Sequence, residues 1–67
     1  MKNIEECREK MINRVRDCLI KNYGKSESDA MQLIHNSSLY SMLMKNDSDA
    51  YYWMPANWAK FIYEKNI

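Results

Sequence analysis

The chain has 67 residues, a formal net charge of +1, one glycine and one proline, and 46% of its residues are hydrophobic. This length fits a single domain over residues 1–67, and so little glycine and proline disfavours β-turns and flexible linkers. The excess charge is +3 in residues 1–25 and −2 in residues 26–67, without a concentrated basic region. Nucleic-acid binding is therefore disfavoured. An apolar leader and a run of membrane-spanning length are also missing, so we expect a cytoplasmic protein that does not bind membranes.

The first predicted element is an amphipathic helix over Ile4–Tyr23. Asn3 suits the N-cap position, and Gly24 suits the left-handed conformation that often ends a helix. At about 100° per residue, one arc of about 160° contains Ile4, Cys7, Met11, Ile12, Val15, Cys18, Leu19 and Tyr23. Arg8 falls inside this arc, where its stem can be buried while it snorkels or pairs with a carboxylate. Ile20 is predicted to face solvent or a partner.

Two shorter helices are predicted next. Ser26 precedes Asp29 by three residues, which is close to the spacing of a capping box, so the second helix should begin near Glu27. Its buried side is expected to contain Ala30, Leu33 and Ile34. The polar residues 36–38 should end this helix, because their side chains compete for backbone hydrogen bonds. Residues 39–45 then form a third helix or a continuation of the second. The core candidates there are Leu39, Tyr40, Leu43 and Met44.

Three consecutive aromatic residues, at positions 51–53, precede Met54 and Pro55. Proline disfavours the α conformation of the residue before it and is common at the first position of a helix. A separate last helix is therefore predicted from Pro55 to about Lys65. Its buried side should contain Trp58, Phe61 and Ile62. The predicted fold is all-α, a small bundle of three to four helices.

Neither the cysteines nor the histidine predict a chemical site. Cys7 and Cys18 would be about 16 Å apart along one helix, too far for an internal disulfide. Two cysteines and one histidine also fall short of a four-ligand zinc site. We expect buried thiols, with an interchain disulfide as the alternative, and no metal or cofactor. His35 lies near Ser37 in the sequence, but the chain lacks the glycine-rich turn and lined pocket of a hydrolytic site, so we expect no enzyme activity.

The second half of the chain has more aromatic and methionine residues than a four-helix core of this size can enclose. Trp58 and Phe61 are expected to close the core. An exposed patch that binds another protein is predicted at Tyr51, Tyr52, Met42 and Met44, because such residues are enriched at interfaces.

The alternative is a nucleic-acid contact through the basic edge of the first helix, formed by Lys10, Arg14 and Lys21. A solvated helix face is the simpler interpretation of the same three residues. Residues 28–46 have the outline of a helix-turn-helix, but the turn glycine is missing. The second helix of that unit also has a single basic residue, which suits it poorly to contact base edges.

Small and apolar residues recur in a particular order from Ser26 onward: Ser26, Ala30, Leu33 or Ile34, Ser37, Tyr40, Leu43, Tyr52 or Trp53, and Ile62. This order resembles a group of short uncharacterised helical bacterial proteins from small gene clusters, some on mobile, conjugative transposon-like elements. The resemblance implies a helical fold, a bacterial cytosol and a mobile-element setting, but no activity and no catalytic residue. Met54 and Pro55 depart from the pattern. Independently, abundant Asn, Lys, Ile and Tyr with few Gly, Ala, Pro and Arg favour an AT-rich bacterial or phage gene.

These patterns together predict a small non-enzymatic accessory or regulatory protein. It is expected to bind another protein, or itself as a homo-oligomer, through the aromatic and methionine surface of its second half. The alternative function is that of a small nucleic-acid-binding regulator.

Overall fold

The computed structural model describes residues 4–65, which form four α-helices and a 3₁₀ turn. The helices are α1 (Ile4–Tyr23), α2 (Glu27–His35), α3 (Ser38–Met44) and α4 (Pro55–Lys65), and the turn is Ser48–Tyr51. The described chain contains no strand and measures 35 × 19 × 18 Å. The predicted all-α bundle is confirmed. Asn3, the predicted N-cap, and the Ile4 side chain lie outside the described part of the chain.

The helix ends agree with the local sequence signals. The Ser26 hydroxyl accepts a hydrogen bond of 3.1 Å from the Asp29 backbone N–H, as expected of an N-cap. Gly24 has a φ of 66°, so the chain leaves α1 in the left-handed region that glycine adopts without strain. The Ser37 hydroxyl donates to the carbonyl of Ile34, and α2 and α3 are separate helices.

The end of α3 also fixes the position of Arg8. Asn46 has a φ of 59°, its N–H donates to Leu43 at 3.1 Å, and the Asp47 N–H donates to Met42 at 2.9 Å. This is a Schellman ending with asparagine in the place of glycine. The Asn46 side-chain oxygen accepts a hydrogen bond of 3.0 Å from Arg8 Nη2. Arg8 therefore connects α1 to the end of α3 through an amide, and no carboxylate is involved.

The core is formed where α1 packs against both α4 and α2. Its buried members are Met11, Val15, Leu19, Ala30, Ile34, Leu39, Leu43, Ala50, Trp58, Ala59 and Ile62. Ile20 was predicted to face solvent or a partner, but it is half-buried and packs against this core. The prediction is wrong because α1 is covered from two sides, which widens its buried face beyond the arc of a helix with one neighbour.

Two contacts show that α1 and α4 run in the same direction. Near their C-terminal ends, the rings of Tyr23 and Tyr63 stack with centroids 4.4 Å apart. Met11, in the N-terminal half of α1, and Pro55, the first residue of α4, line the same groove. This parallel arrangement places the segment that precedes α4 beside the N-terminal half of α1.

Candidate functional site

Four of the five large hydrophobic residues that are exposed in the described chain are consecutive, and we call them segment 51–54. Its members are Tyr51, Tyr52, Trp53 and Met54, and all four are exposed. Tyr52 is 82% exposed and Met54 is 70% exposed. Large contiguous apolar surface is uncommon on soluble proteins outside binding sites, so this segment is the first candidate for a functional surface.

Hydrogen bonds hold segment 51–54 at both ends. Before it, the Asp47 carboxylate accepts from the Asp49 N–H at 3.0 Å. The indole Nε1 of Trp58 donates to the Ala50 carbonyl at 2.7 Å, and this bond is buried. After it, the Met54 carbonyl accepts from the Trp58 N–H at 3.1 Å, which starts α4. The backbone of the segment is therefore fixed before any partner arrives.

Aromatic packing adds to this anchoring. The Trp53 ring lies 4.7 Å from the Trp58 ring in a tilted arrangement, and 5.5 Å from the Phe61 ring edge to face. Such geometries are the favoured ones for aromatic pairs. One side of Trp53 thus packs on α4, while 43% of the residue stays exposed.

A surface groove of about 360 Å³ lies between residues 51–55 and α1. From α1 it is lined by Cys7, Lys10, Met11 and Arg14. Trp53 also borders a second groove of about 300 Å³ on α4, whose lining includes Lys60 and Glu64. The two grooves differ in charge: among residues 4–65, no aspartate or glutamate lines the first groove, whereas Glu64 lines the second.

The two cations of the first groove have no partner within the described chain. Neither Lys10 nor Arg14 forms an ion pair or a side-chain hydrogen bond there. Arg16, on the opposite edge of α1, instead pairs with Asp17 at 3.3 Å and with Glu27 at 3.9 Å. The groove therefore has unneutralised positive charge beside an apolar surface.

The sequence-predicted residues are only partly brought together. Tyr51 and Tyr52 line the groove, whereas Met42 is half-buried against the core, and Met44 is exposed but does not line the groove. Lys21, the third member of the basic edge, does not line the groove. It is about 10 Å further along the helix than Arg14.

Sequence reasoning missed the contributions of Trp53 and Met54 to this surface. Both lie immediately before Pro55, and a residue that precedes proline cannot easily join the helix that follows. That signal indicates a non-helical approach to α4, where apolar side chains are less readily turned inward. The groove contributions of Cys7 and Met11 depend on which helix packs beside them, so the α1 sequence alone does not reveal them.

The cysteines and the histidine form no joint site in the described structure. Cys7 and Cys18 are free and half-buried, less enclosed than the sequence predicted. No group of three or more His, Cys, Asp or Glu residues within 4–65 could hold a metal ion. His35 is exposed, with its ring 4.6 Å from that of Tyr40. It forms no hydrogen bond with Ser37, whose hydroxyl donates to a backbone carbonyl.

The helix-turn-helix interpretation gains no support from α3. Leu39 and Leu43 of this helix are buried in the core. The exposed positions are Ser38, Ser41 and Met44, none of which is basic. The helix therefore lacks a cationic surface for phosphates.

Two further findings concern the chain as a whole. Across residues 4–65, no helix is both long enough and apolar enough to cross a membrane. No known protein family, curated protein or solved structure matches this chain. The bacterial and mobile-element setting thus stays a prediction, and function is inferred from the groove and its surroundings.

Proposed function

We propose that the protein is a small non-enzymatic accessory or regulatory protein that binds a partner protein through segment 51–54. The observation that carries this proposal is the exposure of four consecutive large apolar side chains on one surface segment. A partner that covers them removes apolar area from water, which is the main driving force for association. Aromatic residues are also the side chains most often found at the energetic centre of interfaces.

The anchoring of the segment supports the same conclusion. Binding loses affinity when a loop must be ordered in the complex, and a preformed surface avoids most of that cost. Here the buried hydrogen bond from Trp58 to Ala50 and the packing of Trp53 on α4 order the segment in advance. An exposed apolar segment that were only a poorly packed loop would lack these contacts.

Nucleic acid is the second candidate, because cations beside aromatic rings are typical of single-strand binding surfaces. Among residues 4–65, however, the only cations that line the groove are Lys10 and Arg14, and the formal net charge of the chain is +1. Tracking a phosphate backbone needs a longer positive path. Protein is therefore the proposed partner, and nucleic acid is an outcome that the experiment below distinguishes.

We also propose the setting that the sequence resemblance implies: a bacterial cytosol and a small gene cluster, on a mobile element in some cases. Proteins encoded in one cluster commonly act together. The products of the genes beside this one are consequently the first partners to test by co-expression.

The test is a tagged purification of the wild-type chain at low and at high salt, from cells that also express the neighbouring genes. Tyr52→Ser/Met54→Ser is the variant that removes the two most exposed apolar side chains. Met44→Ser is the matched control, because Met44 is an exposed methionine that does not line the groove. Co-purified protein and nucleic acid are both quantified.

The expected result is a stoichiometric partner protein that survives high salt, since apolar contacts do not weaken as salt rises. It should be lost from the double variant and retained by Met44→Ser. Nucleic acid that is lost at high salt, without any partner protein, would contradict the proposal.

A further inference from the structure

The two surfaces that the sequence suggests as alternatives, the basic edge of α1 and the aromatic run, meet in one groove. Lys10 and Arg14 line this groove together with Tyr51 and Tyr52. We propose that this groove binds an acidic segment of the partner protein, with a bulky apolar side chain of that segment inside the groove and its carboxylates against Lys10 and Arg14. The inference rests on the proposed function and specifies the chemistry of the partner.

Charge is the first reason. Most other cations of the first half of the chain are engaged: Arg8 with Asn46, Arg16 with Asp17 and Glu27, and Lys25 over the Tyr63 ring at 5.4 Å. Lys10 and Arg14 of the groove have no such partner within the described chain.

Carboxylates are the natural complement to these two side chains. The guanidinium of Arg14 can bind a carboxylate with two parallel hydrogen bonds, and the ammonium of Lys10 adds a second positive point one helical turn away. Within the described part of the chain, no aspartate or glutamate lines the groove, so none of its lining side chains competes with an incoming carboxylate for these two cations.

The apolar lining is the second reason. Met11 and Cys7 of α1 face the aromatic segment across the groove, and methionine adapts its shape to an incoming side chain. A volume of about 360 Å³ is at the lower end of the range for ligand pockets. It suits one or two large side chains of a peptide segment rather than a whole domain face.

The arrangement of charge in the groove favours an acidic peptide over a single-stranded nucleic acid. A nucleic acid places a phosphate at every nucleotide and would need the basic edge to continue to Lys21, which lies outside the groove. A peptide with its acids clustered beside one apolar anchor needs only the two cations that are present.

The experiment pans a displayed library of random dodecapeptides against the immobilised protein, with Tyr52→Ser/Met54→Ser as the reference for background. Enriched peptides are then synthesised with a fluorophore, and their affinities are measured by anisotropy. Binding is compared between wild type, Lys10→Ala/Arg14→Ala and Lys21→Ala/Lys45→Ala. The last variant is the matched control, because it removes the same number of positive charges from exposed positions outside the groove.

We expect the enriched peptides to combine aspartate or glutamate with tryptophan, phenylalanine or leucine. Lys10→Ala/Arg14→Ala should weaken their binding about tenfold, since two exposed ion pairs together contribute about 1.4 kcal/mol. The matched control should change it less than about twofold, because distant charges are screened. High salt should reduce the difference between the two variants.

Other outcomes overturn the inference in distinguishable ways. Apolar peptides without acids, unaffected by Lys10→Ala/Arg14→Ala, would leave the proposed function standing and refute the acidic partner. No enrichment above the Tyr52→Ser/Met54→Ser reference would refute both. Binding of oligothymidylate through the groove would assign it to nucleic acid. Sedimentation that shows a dimer lost in Lys10→Ala/Arg14→Ala would assign it to a second copy of the chain.

Discussion

The two ends of α1 combine the same kinds of side chain and reach opposite results. At the C-terminal end, Tyr23 stacks on Tyr63 of α4 and the Lys25 ammonium lies over the Tyr63 ring. At the N-terminal end, tyrosines and cations also face each other, but Tyr52 is 82% exposed and Lys10 has no partner in the described chain. At the C-terminal end, the aromatic rings and the cation contact each other within the chain. At the N-terminal end, they are exposed and can contact a second molecule.

The difference shows how a small fold can separate stability from binding. At the C-terminal end of α1, which we call the closed end, α4 is a continuous helix whose side chains pack directly on α1. At the N-terminal half of α1, which we call the open end, Pro55 starts α4, and residues 52–54 before it lie outside any helix. That segment is ordered by the hydrogen bond from Trp58 and by the packing of Trp53 on α4, while its other side chains stay exposed. The first end should consequently matter for unfolding, and the second for association.

The largest contrast is expected between two tyrosine substitutions. Tyr63→Ala removes a half-buried ring and its stacking partner's contact, which should lower the free energy of unfolding by about 2–4 kcal/mol. Tyr52→Ala should change it by no more than about 0.5 kcal/mol, because the side chain is exposed. Urea titration followed by far-UV circular dichroism measures both. If both variants lost the same free energy of unfolding, the closed and the open end would not differ in their contribution to stability.

Removing the anchor of the open end should have the next largest effect. Trp58→Phe keeps an aromatic ring but deletes the donor to the Ala50 carbonyl, leaving a buried acceptor unpaired at a cost of about 1–3 kcal/mol. Amide exchange should accelerate most at Ala50 and Tyr52. Exchange near Tyr23 should accelerate less, and a uniform acceleration along the chain would argue against a local anchor.

The turn beside the closed end gives a smaller, purely backbone effect. Gly24 has a positive φ, and the space around its Cα is open, so Gly24→Ala meets no neighbour and costs only the left-handed strain of about 1 kcal/mol. Gly24→Asn should cost less, because asparagine tolerates this region better. Thermal unfolding of the two variants under identical conditions provides the comparison. An alanine variant as stable as wild type would mean that the turn changes shape.

The smallest effect is expected for the ion pairs of Arg16, on the edge of α1 away from the groove. Glu27 is largely exposed, so Arg16→Gln should lower the free energy of unfolding by less than about 0.5 kcal/mol. The loss should shrink further at high salt. The same variant should bind the peptides selected on the groove as wild type does. Weakened peptide binding would show that the two edges of α1 are coupled.

Local signals in the sequence determined where the helices begin and end. Three such signals are the capping hydroxyl of Ser26, the left-handed conformation that Gly24 adopts without strain, and the ring of Pro55. Each acts within one or two helical turns, so its effect does not depend on distant contacts. The spacing of apolar residues at about 100° per residue likewise predicted that Val15 and Leu19 lie in the core. These features sufficed to predict the all-α fold.

Tertiary structure alone decided which surfaces became one site. In the sequence, two helices, α2 and α3, stand between Lys10 and Arg14 on one side and segment 51–54 on the other, and nothing in either stretch indicates that α1 and α4 run in the same direction. The direction depends on packing many side chains at once, and Ile34 of α2 and Leu39 of α3 are buried in the same core as the side chains of α1 and α4. Helix propensity and periodicity describe one element at a time. They predicted the basic edge and the aromatic patch, and the packing joined them into a groove.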